Sequence, residues 1–136
     1  MIENVQPSQT WEALKIEADA QLVDVRTEAE WAFVGLPDLG AAEKQTILIP
    51  WQTYPSMQVN PAFTDHLRQA GLTPENRIYF ICRSGARSMS AAQAAQAAGF
   101  PHVYNVADGF EGPVDATGHR GTEAGWKAEG LPWRQR

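Results

Sequence analysis

Cys82 is the single thiol among 136 residues, and the five residues after it, RSGAR, separate an apolar stretch (RIYFI, 77–81) from an alanine-rich run that begins near Ser88. The chemistry that such a cluster can do is nucleophilic. Gly85 admits a positive φ and lets successive N–H groups turn toward one point, the geometry of an anion-binding nest. The start of a following helix adds unsatisfied amides and about half a positive charge, and Arg83 and Arg87 add one full charge each. Positive surroundings favour thiolate over thiol, and the thiolate is the reactive form. A lone cysteine can equally be a small buried hydrophobe, and both arginines can serve as helix-entry charges paired with carboxylates. The polar residues after Cys82, standing where more apolar core would otherwise be, favour the reactive reading.

Such a loop has to be aimed by the elements around it. Pro7 and Ser8 open a short amphipathic helix with Trp11, Leu14 and Ala18 at helical spacing. QLVDV (21–25) reads as a brief apolar strand, and Thr27 with Glu30 has the spacing of a capping box, so a second helix begins at once. TILIP (46–50) is β-branched and stops at proline, as a strand end does. Asn60 as N-cap, Pro61 as first helical residue and Gly71 beyond the last turn delimit a third helix. RIYFI (77–81), a helix from about Ser88 to Ala98 closed by Gly99, and HVYNV (102–106) complete the alternation. The pattern predicts an α/β fold: a central parallel sheet of four or five strands with helices on both faces, residues 1–136 forming one domain. In open parallel sheets ligands bind beyond the carboxyl ends of the strands, which is where Cys82 falls.

Composition narrows the classes of function. A net charge of −5, from 16 acidic and 11 basic residues, argues against a broad nucleic-acid or anionic-membrane surface. A single cysteine makes no internal disulfide, no apolar run approaches the roughly 18 residues that span a bilayer, and the N-terminal residues lack a signal-peptide pattern, so a reducing cytoplasmic setting is expected. His66, His102 and His119 are too scattered for a metal site, and Asp108, Glu111 and Asp115 lack the twelve-residue calcium-loop pattern. The five tryptophans read as packing residues, Trp126 and Trp133 bringing the C-terminal tail back onto the sheet.

CRSGAR after an apolar strand, LVDVRTEAEW some 60 residues earlier, and GW followed by GLPW near the C-terminus together resemble the rhodanese-like single-domain sulfurtransferases, over nearly the whole chain. The resemblance implies a rhodanese-like fold and thiosulfate sulfurtransferase activity. Cys82 would take a sulfane sulfur from thiosulfate or a similar small anionic donor, become a persulfide, and pass the sulfur to cyanide, a thiol or a protein acceptor. Carried over by position, the backbone amides of Arg83, Ser84, Gly85, Ala86, Arg87 and Ser88 would cradle the anionic sulfur. Arg83 and Arg87 would bind the sulfonate end, and Asp24 and Arg26 would lie near the loop as orienting or structural charges. No metal, nucleotide or organic cofactor is implied, and no nucleic-acid or membrane partner. The chemistry is physically coherent: amides and guanidiniums attract a dianion and stabilise departing sulfite, and covalent attack divides the transfer into two half-reactions.

Three other readings compete. Cysteine-dependent phosphatases and arsenate reductases also ring a thiolate with amides and arginine, but the phosphatase loop has five residues before its arginine. Four separate Cys82 from Arg87, which leaves less room for a phosphate. A non-catalytic binding module and a protein-to-protein sulfur relay use the same residues. The chain departs from the family pattern at GLPDLGAAEK, where many relatives carry Gly-His-Ile-Pro-Gly-Ala, and in a long loop, GPVDATGHRGTEAG, whose His119 lies within possible reach of the site.

Overall fold

In the computed structural model, which describes residues 2–135, the chain runs β1 (Glu3–Val5), α1 (Pro7–Ile16), β2 (Ala20–Asp24), α2 (Glu28–Phe33), β3 (Leu36–Pro37), a 3₁₀ turn at Gly40–Ala42, β4 (Ile47–Leu48), β5 (Gln52–Thr53) and β6 (Gln58–Val59). It continues through α3 (Phe63–Gln69), β7 (Arg77–Ile81), α4 (Ala86–Ala97), β8 (Val103–Val106) and β9 (Trp133–Arg134). Five strands form one parallel sheet in the order β1-β8-β7-β2-β4. The most apolar strand, β7, takes the middle because it must be covered on both sides. Ile78 and Phe80 face a core closed by α3 and α4, through Phe63, Leu67, Ala91, Ala92 and Ala95. Tyr79 and Ile81 face the opposite core, with Trp11 and Leu14 of α1, Phe110 and Trp126. Alanines on the buried stripe of α4 let that helix lie close against the sheet.

Register carries polar groups to the carboxyl edge of the sheet. Asp24 pairs with Ile81, and Asn105 pairs with Phe80, so the ends of β2, β7 and β8 stand side by side. From β2 the chain moves outward to β4, and from β7 it moves the other way to β8. The crevice between β2 and β7 is therefore the topological switch point, where open α/β sheets bind ligands.

Several boundaries differ from the sequence reading. The edge strand β1 has only three residues and no alternation to betray it; its pairing with β8 supplies the order. The strand expected at 46–50 shortens to Ile47–Leu48, although Ile49 and Trp51 still donate to the carbonyls of Asp24 and Val25. Asn60 caps a turn and not a helix: its Oδ1 accepts from the Ala62 amide at 3.0 Å, and α3 starts at Phe63, not at Pro61. Ala18 lies beyond the end of α1 and is exposed. Helix α4 starts at Ala86, two residues before Ser88, because Gly85 (φ 114°) takes the left-handed conformation immediately before it. The tail does return, but β9 pairs antiparallel with β3 away from the main sheet. Trp126 is fully buried, edge-on to Trp11 at 6.1 Å, whereas Trp133 remains 40 % exposed.

At the end of β2, Arg26 turns back onto Asp24 with contacts of 2.7–3.1 Å, donates to the Gly35 carbonyl at 2.7 Å, and stacks 4.3 Å from the Phe110 ring; both charged side chains are fully buried. Removing one partner leaves an uncompensated buried charge. Arg26→Ala is expected to lower unfolding free energy by about 3–5 kcal/mol in urea titrations, and Asp24→Leu/Arg26→Met together to cost less than Arg26→Ala alone.

Candidate active site

Cys82 follows β7 directly, and its backbone is held from the far side by the turn after β8. Phe110 donates to the Cys82 carbonyl at 2.7 Å, and Glu111 and Gly112 donate to the Arg83 carbonyl at 3.0 and 3.1 Å. The approach is so close that a Cβ on Gly109 would collide with the Cys82 carbonyl oxygen. Gly85 then reverses the chain, and its amide donates to Cys82 Sγ at 3.1 Å. Among the amides from Arg83 to Ser88, this is the one that reaches the sulfur.

A side-chain chain of hydrogen bonds approaches the sulfur from the sheet. Asn105 Nδ2 donates to Asn4 Oδ1 at 2.9 Å and to the Gly85 carbonyl at 3.1 Å, which turns Asn105 Oδ1 toward Ser88. The Ser88 hydroxyl donates to that oxygen at 2.5 Å and lies 3.1 Å from Sγ. With its proton so committed, Ser88 accepts from a Cys82 thiol. For a thiolate the same hydroxyl can rotate and donate. Sequence reasoning had Ser88 only as a backbone amide and did not find Asn105, whose placement depends on the pairing of β7 with β8.

Cys82 is only 2 % exposed and does not itself line the cleft of about 510 Å³ that its chain neighbour Arg83 helps to wall, together with Arg87, Arg120, Glu30, Glu111 and Met57. The arginines divide. Arg87 is held bidentate by Glu30 at 2.7 and 2.9 Å, the carboxylate-paired state that the sequence left open. Glu30 is itself set by its capping box, Thr27 donating to it and receiving from its amide. Burial alone would raise the Glu30 pKa, but the Arg87 hydrogen bonds and charge, with Thr27, overcome this and lower it to about 2. The Glu30 hydrogen bond likewise raises Arg87 above its ordinary value against the opposing effect of burial, with Cys82 and Asp24 adding to it. Arg83 is exposed and makes no side-chain hydrogen bond or ion pair among the described residues.

Asp24 and Arg26 lie beneath the loop in the core and do not line the cleft. His119 is exposed and bonded to Thr117; its neighbour Arg120 lines the cleft in its place. His66 bonds to Asn60, and among the described residues no group of three histidine, cysteine or acidic side chains is placed to hold a metal.

A family model described as the STR4 middle domain matches residues 3–136. The crystal structure of Rv0390 from M. tuberculosis superposes with a TM-score of 0.89 at 47% identity, covering 98% of each chain. A Rickettsia prowazekii protein, RP600, described as uncharacterized, is 35% identical over 98% of both sequences. The chloroplastic rhodanese-like domain-containing protein 4 of Arabidopsis thaliana is 28% identical over 88% of this chain, a match that spans 23% of the plant protein.

The Glu30 carboxyl sits near 2 when folded and at 4.5 ordinarily. Its pairing therefore stabilises fully above pH 4.5 and is lost as the pH falls toward 2. Partial exposure screens the pair, so the coupling between Glu30→Gln and Arg87→Gln in a double-mutant cycle at neutral pH is expected at about 1–2 kcal/mol. It should shrink toward zero in the same cycle run near pH 2.

Proposed function

The chain belongs to the rhodanese-like family, and from that premise we propose that it is a sulfurtransferase moving a sulfane sulfur from thiosulfate, or a similar small anionic donor, through a persulfide on Cys82. The observation that carries the reading is the placement of the Cys82 sulfur at the exit of the central strand and under the Gly85 amide, with the next residue, Arg83, walling a cleft that Arg87 and Arg120 also line.

In the first half-reaction the Cys82 thiolate attacks the outer sulfur of thiosulfate. A sulfur–sulfur bond forms as the donor's own sulfur–sulfur bond breaks, and sulfite leaves with the electron pair. The thiol proton goes to solvent before attack, and rotation of the Ser88 hydroxyl replaces the lost hydrogen bond by one donated to the anionic sulfur. The Gly85 amide and the positive end of α4 favour negative charge at that point, and guanidinium groups in the cleft offset the charge that develops on sulfite. In the second half-reaction an acceptor thiolate or cyanide attacks the outer sulfur of the persulfide, and Cys82 departs as thiolate. Dividing the transfer this way needs no group beyond the two substrates.

The shorter loop and the commitment of Arg87 to Glu30 weigh against a phosphatase, which needs a free guanidinium facing the phosphoryl oxygens. No helix among the described residues is long and apolar enough to cross a membrane. A reducing cytoplasm, small thiols or a partner protein as acceptors, and one catalytic domain over residues 1–136 complete the proposal.

Intact-mass spectrometry after exposure to thiosulfate tests it. The expected result is a gain of one sulfur atom that dithiothreitol removes, absent in Cys82→Ser, which should lose more than 99 percent of thiosulfate-to-cyanide turnover, about a hundredfold or more, while melting as the parent does. Full turnover by Cys82→Ser contradicts the assignment.

A further inference from the structure

The long loop after β8 is not slack. Asp115 gathers it: Oδ1 accepts from the Thr117 amide at 2.9 Å, the Thr117 hydroxyl at 2.7 Å and the His119 amide at 2.9 Å, while Oδ2 accepts from the Thr122 hydroxyl at 2.6 Å. The Asp115 amide donates in turn to the His119 carbonyl at 2.7 Å. The Thr122 bond first, then those from His119 and Thr117, hold the Asp115 carboxyl well below the usual carboxylate range. The knot ends at Arg120, which donates through Nη1 to the Gly112 carbonyl at 2.7 Å and lines the cleft. Gly121 then donates to the Glu111 carbonyl at 2.6 Å. Glu111 and Gly112 are the two residues whose amides hold the Arg83 carbonyl. One short turn therefore ties Arg120, Arg83 and the backbone of Cys82 into a single unit.

Charge within the cleft decides what this unit is for. Arg87 is neutralised by Glu30, and Glu111 forms no ion pair with either remaining guanidinium among the described residues. Among the described residues Arg83 has no side-chain partner and Arg120 has one backbone carbonyl, which leaves most of its fork of five donors free. Resting on the sulfurtransferase reading, we infer that Arg83 and Arg120, not Arg83 and Arg87, grip the oxyanion end of the donor. Arg120 is then a specificity residue that selects sulfur oxyanions of double charge over neutral sulfane donors. Arg87 is a positioning residue, fixed by Glu30 at the start of α4. Glu111 lines the same cleft, and its carboxylate opposes anion binding, so a dianion is held there only by engaging both guanidiniums.

Two measurements on Arg120→Gln test this. The first is thiosulfate binding, followed by calorimetry in the Cys82→Ser background, where no transfer occurs. The second is sulfur loading of the Cys82-intact chain, from thiosulfate as the persulfide with sulfite leaving, and from a neutral organic trisulfide as the mixed trisulfide formed when the Cys82 thiolate attacks the central sulfur and one alkyl thiolate leaves. Expected are a roughly five- to tenfold loss of thiosulfate affinity, a matching rise in KM for loading with kcat held, and unchanged loading from the trisulfide. Unchanged thiosulfate affinity overturns the inference, and so does an equal loss with the trisulfide, which would make Arg120 merely structural. Loss of affinity in the Cys82→Ser background, in a protein whose wild type takes up no sulfur from either donor, upholds the anion grip while rejecting sulfur transfer.

Discussion

The turn from β7 into α4 is the constraint on which the rest of the structure depends. A parallel strand buried on both faces has to end by turning its chain over the sheet, and here Gly85 makes that reversal in a conformation open to few other residues. Its amide lands on Cys82 Sγ, and its carbonyl receives Asn105. The turn after β8 adds three backbone hydrogen bonds to Cys82 and Arg83 from the opposite side, each worth about 1 kcal/mol. A sulfur placed this way has little freedom to move. The contacts that make the turn rigid are the ones the proposed nucleophile relies on.

Cations near the sulfur differ in how they are partnered. Arg26 is fully buried and pairs with Asp24, which fixes the chain after β2 beneath the loop. Arg87 is half-buried and pairs with Glu30, linking α2 to the start of α4. Arg83 is exposed, and Arg120, half-buried like Arg87, has one backbone carbonyl as partner among the described residues; both keep donors free. The contrast between Arg26 and Arg83 follows from desolvation, since a charge withdrawn from water is tolerated only with a partner, whereas an exposed one can wait for a ligand. A chain with net charge −5 thus maintains a locally positive cleft.

Much of this was legible in the sequence because it is local. The apolar run Arg77–Ile81 coincides with β7 to the residue, the Thr27 and Glu30 spacing is a capping box, and Cys82 stands at the strand exit. What stayed hidden is non-local. Glu30 meets Arg87 across 57 positions, Asn105 meets Ser88 across 17, and Asn105 meets Asn4 across 101; no periodicity encodes such encounters. β1 is too short to show a pattern. In the long loop His119 attracted notice by residue type, yet the hydrogen bonds converging on Asp115 turn it outward and send Arg120 to the cleft.

As proposed above, Cys82 is a working nucleophile next to a positive cleft walled by Arg83 and not a core hydrophobe, despite being 2 % exposed. The most direct test is the rate at which the folded protein is alkylated at neutral pH by anionic iodoacetate and by neutral iodoacetamide, each scaled to the rate with a small free thiol. Expected is modification without unfolding, with the anionic reagent favoured and its advantage fading as salt screens the cleft. A thiol that reacts with neither reagent until the chain unfolds contradicts the claim.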